Sequence, residues 1–289
     1  MAEQAAEGRE DGLPRVECGR EDGLSGGRRG RGRVHFIDEV RGGDILLVVI
    51  FHGFYTLGWL LEMPVGERLF MFFRPAQAFF AGIFVFLCGF SSRLSKSNVR
   101  RGVTLAGVAA GITGVMWLLG VWDVMHEAIW FGILHLLAVC ILLFAALRPV
   151  LDRIPPWVGL CGCALLFALL WNVMPESWPR VMGIPGVWSV ALPESLTGNV
   201  WLYPLGLGAV PRGGASDYFP LLPWVFCFLG GSFMGVWAQR ESLPRWMYPS
   251  RVPALSWLGK HTLIIYIAHQ PVIYGVGMGV LWVVNAVKG

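Results

Sequence analysis

Long apolar runs separated by short charged segments divide most of the chain. The runs that approach spanning length cover residues 45–61, 70–90, 102–121, 129–147, 156–174, 220–238 and 262–284. About 20 apolar residues are what a helix needs to cross the hydrocarbon core of a bilayer. A transmembrane β-barrel would instead show shorter segments of alternating character. The pattern therefore predicts an all-α fold, a polytopic transmembrane helix bundle of about seven spans.

Composition and charge agree with this fold and give it an orientation. Hydrophobic residues make up 55% of the chain and charged residues 15%, with a mean hydropathy of +0.58. Lysine and arginine concentrate in the segments after the second, fourth and sixth runs. Because cytoplasmic loops carry the excess of basic residues, we expect a multi-pass membrane protein with a cytoplasmic N-terminus and an external C-terminus.

The first 34 residues differ in composition from everything that follows. They are rich in Gly, Glu and Arg and nearly free of apolar residues, so they cannot bury a core. We expect residues 1–34 to form a disordered, basic cytoplasmic tail and residues 35–289 to form the membrane domain. The arginines between Arg28 and Arg33 fit retention on the cytoplasmic side, and no nucleic-acid partner is expected.

The connection over residues 175–219 is the longest and is rich in Pro, Gly and Trp. Long irregular connections in compact proteins often carry function, and this one falls on the outer side of the predicted topology. Residues 199–210 are apolar enough for a short interfacial or re-entrant piece, which would make an eighth membrane segment if it spans.

His52 is the most informative residue of the first run. Arg41 lies eleven residues earlier, which on a helix is three turns plus about 20°, so the two side chains share one face roughly 16 Å apart along the axis. Ionisable side chains are costly to place inside a membrane, so one that lies there usually belongs to a functional site. A buried imidazole is mostly neutral, which is the form that a general base requires. The competing interpretations are a hydrogen-bonded structural histidine, and an Arg41 that snorkels or pairs with Asp38 or Asp44.

Two more histidines lie in later runs. His135 is near the outer end of the fourth run, where either a structural hydrogen bond or a site role fits. His269 and Gln270 precede Pro271, which cannot donate to the carbonyl of residue 267. The sequence therefore predicts a broken helix there, which either lines a cavity or is a packing kink.

Asp217 and Tyr218 lead into the sixth run. Asp217 can cap the start of that helix or face an acceptor at the outer mouth.

The cysteines and glycines indicate no functional site. Five of the six cysteines lie within apolar runs and predict neither disulfides nor a metal site. Small-residue pairs such as Gly107 and Gly111 permit close helix approach.

Four segments together resemble a known family. They are Arg41-Gly42 with His52 ten residues further on, residues 131–135 (FGILH), residues 217–224 (DYFPLLPW) and residues 258–271 (LGKHTLIIYIAHQP). In this order they are similar to the bacterial branch of the heparan-alpha-glucosaminide N-acetyltransferase catalytic family, a group of transmembrane acyltransferases. The resemblance extends from about residue 37 to residue 284.

The resemblance implies acyl transfer across the membrane. The donor would be cytoplasmic acetyl-CoA, used as a co-substrate, and the acceptor a sugar amine or hydroxyl of an envelope glycan or glycolipid. The residues it implies are His52, His269 and His135 for catalysis, Arg41 and Gly42 for the donor, and Asp217, Tyr218 and Gln270 for the substrate. His52 would act as general base or carry the acyl group itself. Lysosomal members place a histidine in the loop after the first span, and residues 62–68 contain none.

Two other functions remain open on the residues alone. Histidines on separate spans can bind haem in a membrane electron carrier, and an intramembrane histidine can couple a transporter to protons. Neither accounts for an arginine on the His52 face at the cytoplasmic surface. The expected partners are acyl-CoA, the sugar or glycolipid acceptor and the lipid bilayer, with a homodimer as one candidate assembly.

Overall fold

The computed structural model describes residues 33–122, 129–174, 180–211 and 217–288. All but the last two residues of the predicted tail over residues 1–34 therefore lie outside the described residues. The long helices are α1 (His35–Tyr55), α2 (Pro64–Phe73), α3 (Gln77–Leu94), α4 (Asn98–Val121), α5 (Ile133–Leu151), α6 (Pro156–Leu170), α8 (Leu221–Gln239) and α10 (Thr262–Lys288). The short ones are α7 (Glu194–Thr197) and α9 (Pro253–Lys260), and two strands, β1 (Val181–Ile184) and β2 (Trp188–Ala191), form one hairpin.

Seven helical segments in the described part of the chain are long and apolar enough to cross a membrane. They are His35–Trp59, Pro64–Leu94, Asn98–Val121, Ile133–Leu151, Pro156–Val173, Leu221–Gln239 and Thr262–Val287. The prediction of an all-α polytopic bundle with seven spans is therefore confirmed. We call the end where α1 begins the basic end, and the end that carries the hairpin the loop end.

The first span begins ten residues earlier than the apolar run suggested. Helix α1 starts at His35 and includes four charged residues that were expected to lie at the membrane surface. Three of these charges have partners: Asp38 pairs with Arg41 and with Arg33, and Glu39 accepts from the backbone at the start of α9. Hydropathy averages cannot detect such pairing, because the partners are distant or lie in the preceding segment.

The predicted loop over residues 62–68 is mostly helical. Helix α2 begins at Pro64, a residue suited to the first helical turn because its missing N–H has no intrahelical acceptor there. A 3₁₀ turn at Arg74–Ala76 joins α2 to α3.

The prediction of a broken helix at Pro271 is wrong, since α10 runs through this proline as one helix.

Helices α3 and α8 form the tightest contact at the centre of the bundle. A Cβ built on Gly89 would lie 1.8 Å from the carbonyl oxygen of Phe228, and one built on Gly231 would lie 1.9 Å from that of Phe86. The backbones approach this closely only because both residues lack a side chain. The buried rings of Phe144 and Phe228 pack beside this contact.

Helix α9 fastens the last span to the first. A Cβ on Gly42 would meet the carbonyl oxygen of Leu255 at 2.0 Å, and one on Gly259 would meet that of Asp38 at 1.9 Å. Glu39 Oε1 accepts hydrogen bonds from the backbone N–H groups of Arg251 and Val252, at 2.6 and 2.8 Å. Because α10 follows directly, α1 and α10 run side by side in the same direction.

The long connection folds against the loop end of the bundle. Arg180 holds it by donating to four backbone carbonyls, those of Val173, Gly206, Leu207 and Gly208. The predicted interfacial piece over residues 199–210 contains a 3₁₀ helix, Val200–Leu205. No eighth span is found among the described residues.

Candidate active site

A cavity of about 40 Å³ lies between the first span, α3, the start of α5 and α10. Its wall consists of Ile45, Val48, Phe51, His52, Gln77, Phe80, Ala81, Phe84, Ile133, Asp217, Phe219 and Tyr266. Most of these side chains are apolar, while His52, Gln77, Asp217 and Tyr266 bring polar atoms to the wall. An apolar chamber with a few polar groups is the usual form of a small-molecule site.

His52 receives a side-chain partner from the last span. The amide nitrogen of Gln270 lies 2.9 Å from Nδ1 of His52. An amide N–H can only donate, so Nδ1 accepts and a neutral His52 carries its proton on Nε2. If the amide group of Gln270 rotated by 180°, its oxygen would face Nδ1 instead. Nδ1 would then carry the proton, and Nε2 would become the basic nitrogen. Gln270 therefore controls which nitrogen of His52 is basic.

His269 stands beside His52, with the two ring centroids 4.8 Å apart. Its Nδ1 lies 2.5 Å from the backbone oxygen of Tyr266. Because a carbonyl only accepts, Nδ1 is the protonated nitrogen and Nε2 carries the lone pair. This Nε2 is buried and has no hydrogen-bond partner among the described residues. A buried polar atom without a partner is uncommon, and here it is an available base beside a second imidazole.

Asp217 provides the acidic group of the cavity wall. A two-residue bridge between Gly132 and Tyr218 brings it to the start of α5. There its Oδ2 accepts from the hydroxyl of Tyr266 at 2.9 Å and from the backbone N–H of Ile133 at 3.4 Å. Burial raises the pKa of Asp217 to about 6, although both hydrogen bonds act in the opposite direction.

The cavity wall does not include His135, Tyr218, His269 or Gln270. Of these four, His269 and Gln270 contact His52 from behind the wall, whereas His135 and Tyr218 have other partners. Nδ1 of His135 accepts from the backbone N–H of Gly132 at 3.3 Å, and its Nε2 lies 3.2 Å from the hydroxyl of Thr113. Both nitrogens are thus occupied, and the structure favours the structural interpretation of His135. Tyr218 donates to the backbone oxygen of Tyr203 at 2.6 Å and stacks on that ring, so it holds the long connection in place.

Arg41 lies three turns from His52 on α1, towards the basic end. Its guanidinium donates to the backbone oxygen of Leu87 at 3.2 Å and to the hydroxyl of Ser91, both on α3. Asp38 Oδ1 is 3.7 Å from Nη1, whereas the alternative partner Asp44 makes no ion pair in the described part of the chain. The backbone of Leu255 in α9 packs against Gly42, and the predicted role of Gly42 towards the donor stays a prediction.

Two residues of this site escaped the sequence reasoning. Tyr266 precedes His269 by three positions, so on a helix the two lie on neighbouring faces, and this spacing could have linked them. The hydroxyl of Ser91, on α3, accepts a hydrogen bond from the guanidinium of Arg41 on α1. Only a three-dimensional contact reveals that partner.

The histidine pair does not fit a haem. Two axial imidazoles bind iron from opposite faces of the porphyrin through bonds of about 2 Å, which puts the ring centres roughly 6 Å apart. The ring centroids of His52 and His269 are 4.8 Å apart, closer than this geometry requires.

A family model matches most of the chain. The model described as "Heparan-alpha-glucosaminide N-acetyltransferase, catalytic" matches residues 33–271, which include α1, the cavity wall and His269. No curated protein and no solved structure matches the chain.

Proposed function

The chain belongs to the heparan-alpha-glucosaminide N-acetyltransferase catalytic family and is a multi-pass membrane acetyltransferase, and from this premise we propose that it uses acetyl-CoA from the cytoplasm. The acceptor is a sugar amine or hydroxyl of an envelope glycan or glycolipid on the other side of the membrane. The basic end of the bundle is then cytoplasmic and the loop end external, in a bacterial inner or plasma membrane.

The cavity shared by His52 and Asp217 is the observation that carries this proposal. One wall residue comes from the first span and the other lies just before α8 on the loop end. A thioester arriving from the basic end and an acceptor arriving from the loop end can meet in this chamber. Its apolar wall keeps bulk water away from the thioester and so limits hydrolysis.

Helix α1 supplies a path for the donor. Arg41, Ile45, Val48 and His52 follow one face of the helix, and the last three line the cavity. Arg41 can bind a phosphate of CoA through charge-assisted hydrogen bonds. The roughly 16 Å between Arg41 and His52 along the axis suits the long, thin pantetheine arm.

The two imidazoles can divide the chemistry of the transfer. Nε2 of His269 accepts the proton of the attacking amine or hydroxyl, while Nε2–H of His52 donates a hydrogen bond to the thioester oxygen as negative charge develops there. The new C–N or C–O bond forms, the C–S bond breaks, and the proton on His269 passes to the leaving thiolate. The products are the acetylated acceptor and CoA.

His52 also remains a candidate for the covalent acyl carrier. That role needs its proton on Nδ1, which requires the Gln270 amide to turn so that its oxygen accepts from Nδ1–H. Gln270→Glu provides only acceptors and would favour this tautomer. An acetylated His52 trapped in Gln270→Glu supports the carrier; turnover without a trapped acyl group supports direct transfer.

The experiment that tests the function is acetyl-CoA binding and CoA release by the detergent-purified protein, with glucosamine as the probe acceptor. We expect His52→Ala to retain binding and lose turnover, and Arg41→Ala to weaken binding. The matched control is His261→Ala, because His261 lies between α9 and α10 away from the cavity wall. If the wild type shows no affinity for acetyl-CoA, the proposed donor is wrong.

A further inference from the structure

Two arginines share one carboxylate at the basic end of the bundle. Nε of Arg33 lies 2.6 Å from Oδ2 of Asp38. Nη1 of Arg41 lies 3.7 Å from Oδ1 of the same residue, which is too long for a hydrogen bond. The Asp38 side chain is buried, whereas that of Arg33 is 56% exposed. Asp38 therefore lies between two guanidinium groups, with a short contact to the exposed Arg33 and a longer one to the more buried Arg41.

A third arginine adds its charge to this pair. Arg101, on the first turn of α4, bonds to the side chain of Asn98, and Asn98 donates to the backbone oxygen of Ser92. Ser92 is next to Ser91, the partner of Arg41 on α3.

The charges of this junction do not balance. The guanidinium groups of Arg33 and Arg41 share the single carboxylate of Asp38, and Arg101 adds a positive charge from the start of α4. Glu39 is turned away, because its Oε1 binds the start of α9. The carboxylate of Asp44 is buried without a partner in the described part of the chain. A surplus of positive charge at a membrane surface is an anion-binding feature, and guanidinium groups match phosphate geometry.

We propose that Asp38 is an internal counter-ion that a phosphate group of the acyl donor displaces. In the free protein the carboxylate holds Arg33 against Arg41. When the donor binds, its phosphate takes the place of the carboxylate, and Arg33, Arg41 and Arg101 hold it. The inference rests on the proposed function and extends it, since it makes the donor a phosphate-bearing thioester and assigns binding roles to Arg33 and Arg101.

The test measures the affinity of the purified full-length chain for CoA, which carries the phosphates but no acyl group. We expect Arg33→Gln and Arg101→Gln each to weaken CoA binding about tenfold, the usual effect of losing one hydrogen bond to a charged group. Asp38→Asn should tighten it several-fold, because the competing carboxylate is gone. Arg100→Gln is the matched control: it removes the same charge from the neighbouring, exposed position of α4.

The outcomes separate this inference from the function on which it rests. If the wild type binds CoA and turns over acetyl-CoA, but Asp38→Asn weakens binding or Arg100→Gln acts like Arg101→Gln, the counter-ion exchange is wrong and the acetyltransferase stands. If Asp38→Asn does not fold, a second measurement replaces it: the inhibition of CoA binding by pyrophosphate, in the wild type and in Arg33→Gln. We expect pyrophosphate to inhibit the wild type more strongly, and equal inhibition of both proteins contradicts the proposal. If the wild type binds no CoA at all, the proposed function itself is wrong.

The same arginines could bind the phosphate of an anionic lipid headgroup. Repeating the CoA titration in nanodiscs with and without phosphatidylglycerol distinguishes the two sources. We expect an unchanged CoA affinity. A loss of CoA binding in phosphatidylglycerol assigns the arginines to lipid and overturns the proposal.

Discussion

The hydrogen-bond partners of the two central histidines give them different roles. His269 has its proton fixed on Nδ1 by a backbone carbonyl, which cannot change from acceptor to donor. His52 faces an amide that can present either its nitrogen or its oxygen. One imidazole is thus committed to a single tautomer, and the other can switch.

The first prediction concerns His269. His269→Gln removes the proposed proton acceptor, so we expect kcat to fall by about 10²- to 10⁴-fold with little change in the affinity for acetyl-CoA. Steady-state kinetics together with equilibrium binding measure the two effects. His135→Gln is the comparison, because both nitrogens of His135 are already occupied; an equal loss of kcat in that variant would argue against a special role for His269.

The second prediction concerns pH and Asp217. In the unfolded chain Asp217 loses its proton near its usual pKa of 3.8, whereas burial keeps the proton in the folded protein up to about pH 6. The folded state binds more protons in this window, so its stability falls as pH rises from about 4 to 6 and then levels off. Asp217→Asn should remove this slope.

Thermal unfolding in detergent between pH 4 and 7 measures the effect. Glu194→Gln is the control, since that carboxylate is exposed in the long connection. Identical slopes in the wild type and Asp217→Asn would show that Asp217 is not protonated on folding.

At the scale of elements, glycines decide where helices meet. The sequence contains several small-residue pairs, and nothing in their spacing says which are contacts. The structure places Gly89 and Gly231 at the α3–α8 contact, while Gly107 has no atom of another described residue within 4 Å of an added Cβ. The spacing alone could not separate these cases, because it depends on which helices become neighbours.

The third prediction follows from this difference. Gly89→Ala forces α3 and α8 apart and should lower the free energy of unfolding by about 1–3 kcal/mol, as overpacking does elsewhere. Gly107→Ala should be neutral or slightly stabilising, because alanine favours helix. Denaturation in detergent compares the two variants; equal losses would mean that the close approach does not contribute to stability.

The elements also show where sequence reasoning works and where it stops. Apolar runs locate the seven spans because a bilayer imposes one length on all of them. They misplace the start of α1, since Glu39 finds its partners more than 200 residues later at the start of α9. The order of motifs suggested that His52, His269, Gln270 and Asp217 belong together, but the roles of Gln270 and Tyr266 depend on contacts between helices.

At the scale of the whole molecule, the sidedness of the bundle determines which substrate enters at which end. The arginines lie at the basic end, and the hairpin and Arg180 lie at the loop end. An acetyl-CoA-dependent mechanism requires the basic end to face the cytoplasm.

The fourth prediction tests this orientation. In a background without the six native cysteines, we expect a membrane-impermeant maleimide to label Val187→Cys on intact cells, because Val187 is 82% exposed in the hairpin turn. Lys96→Cys, between α3 and α4, should be labelled only after the cells are opened. The reverse pattern would place the loop end inside and exclude a cytoplasmic donor at Arg41.

The parallel placement of α1 and α10 has a consequence for biosynthesis. His52 is among the first parts of the membrane domain to leave the ribosome, and His269 and Gln270 are among the last. Until α10 is inserted, His52 has neither its amide partner nor the second imidazole. On the proposed mechanism, a nascent chain cannot acetylate anything while it is being made, and a premature stop before α10 would yield an inserted but inactive protein.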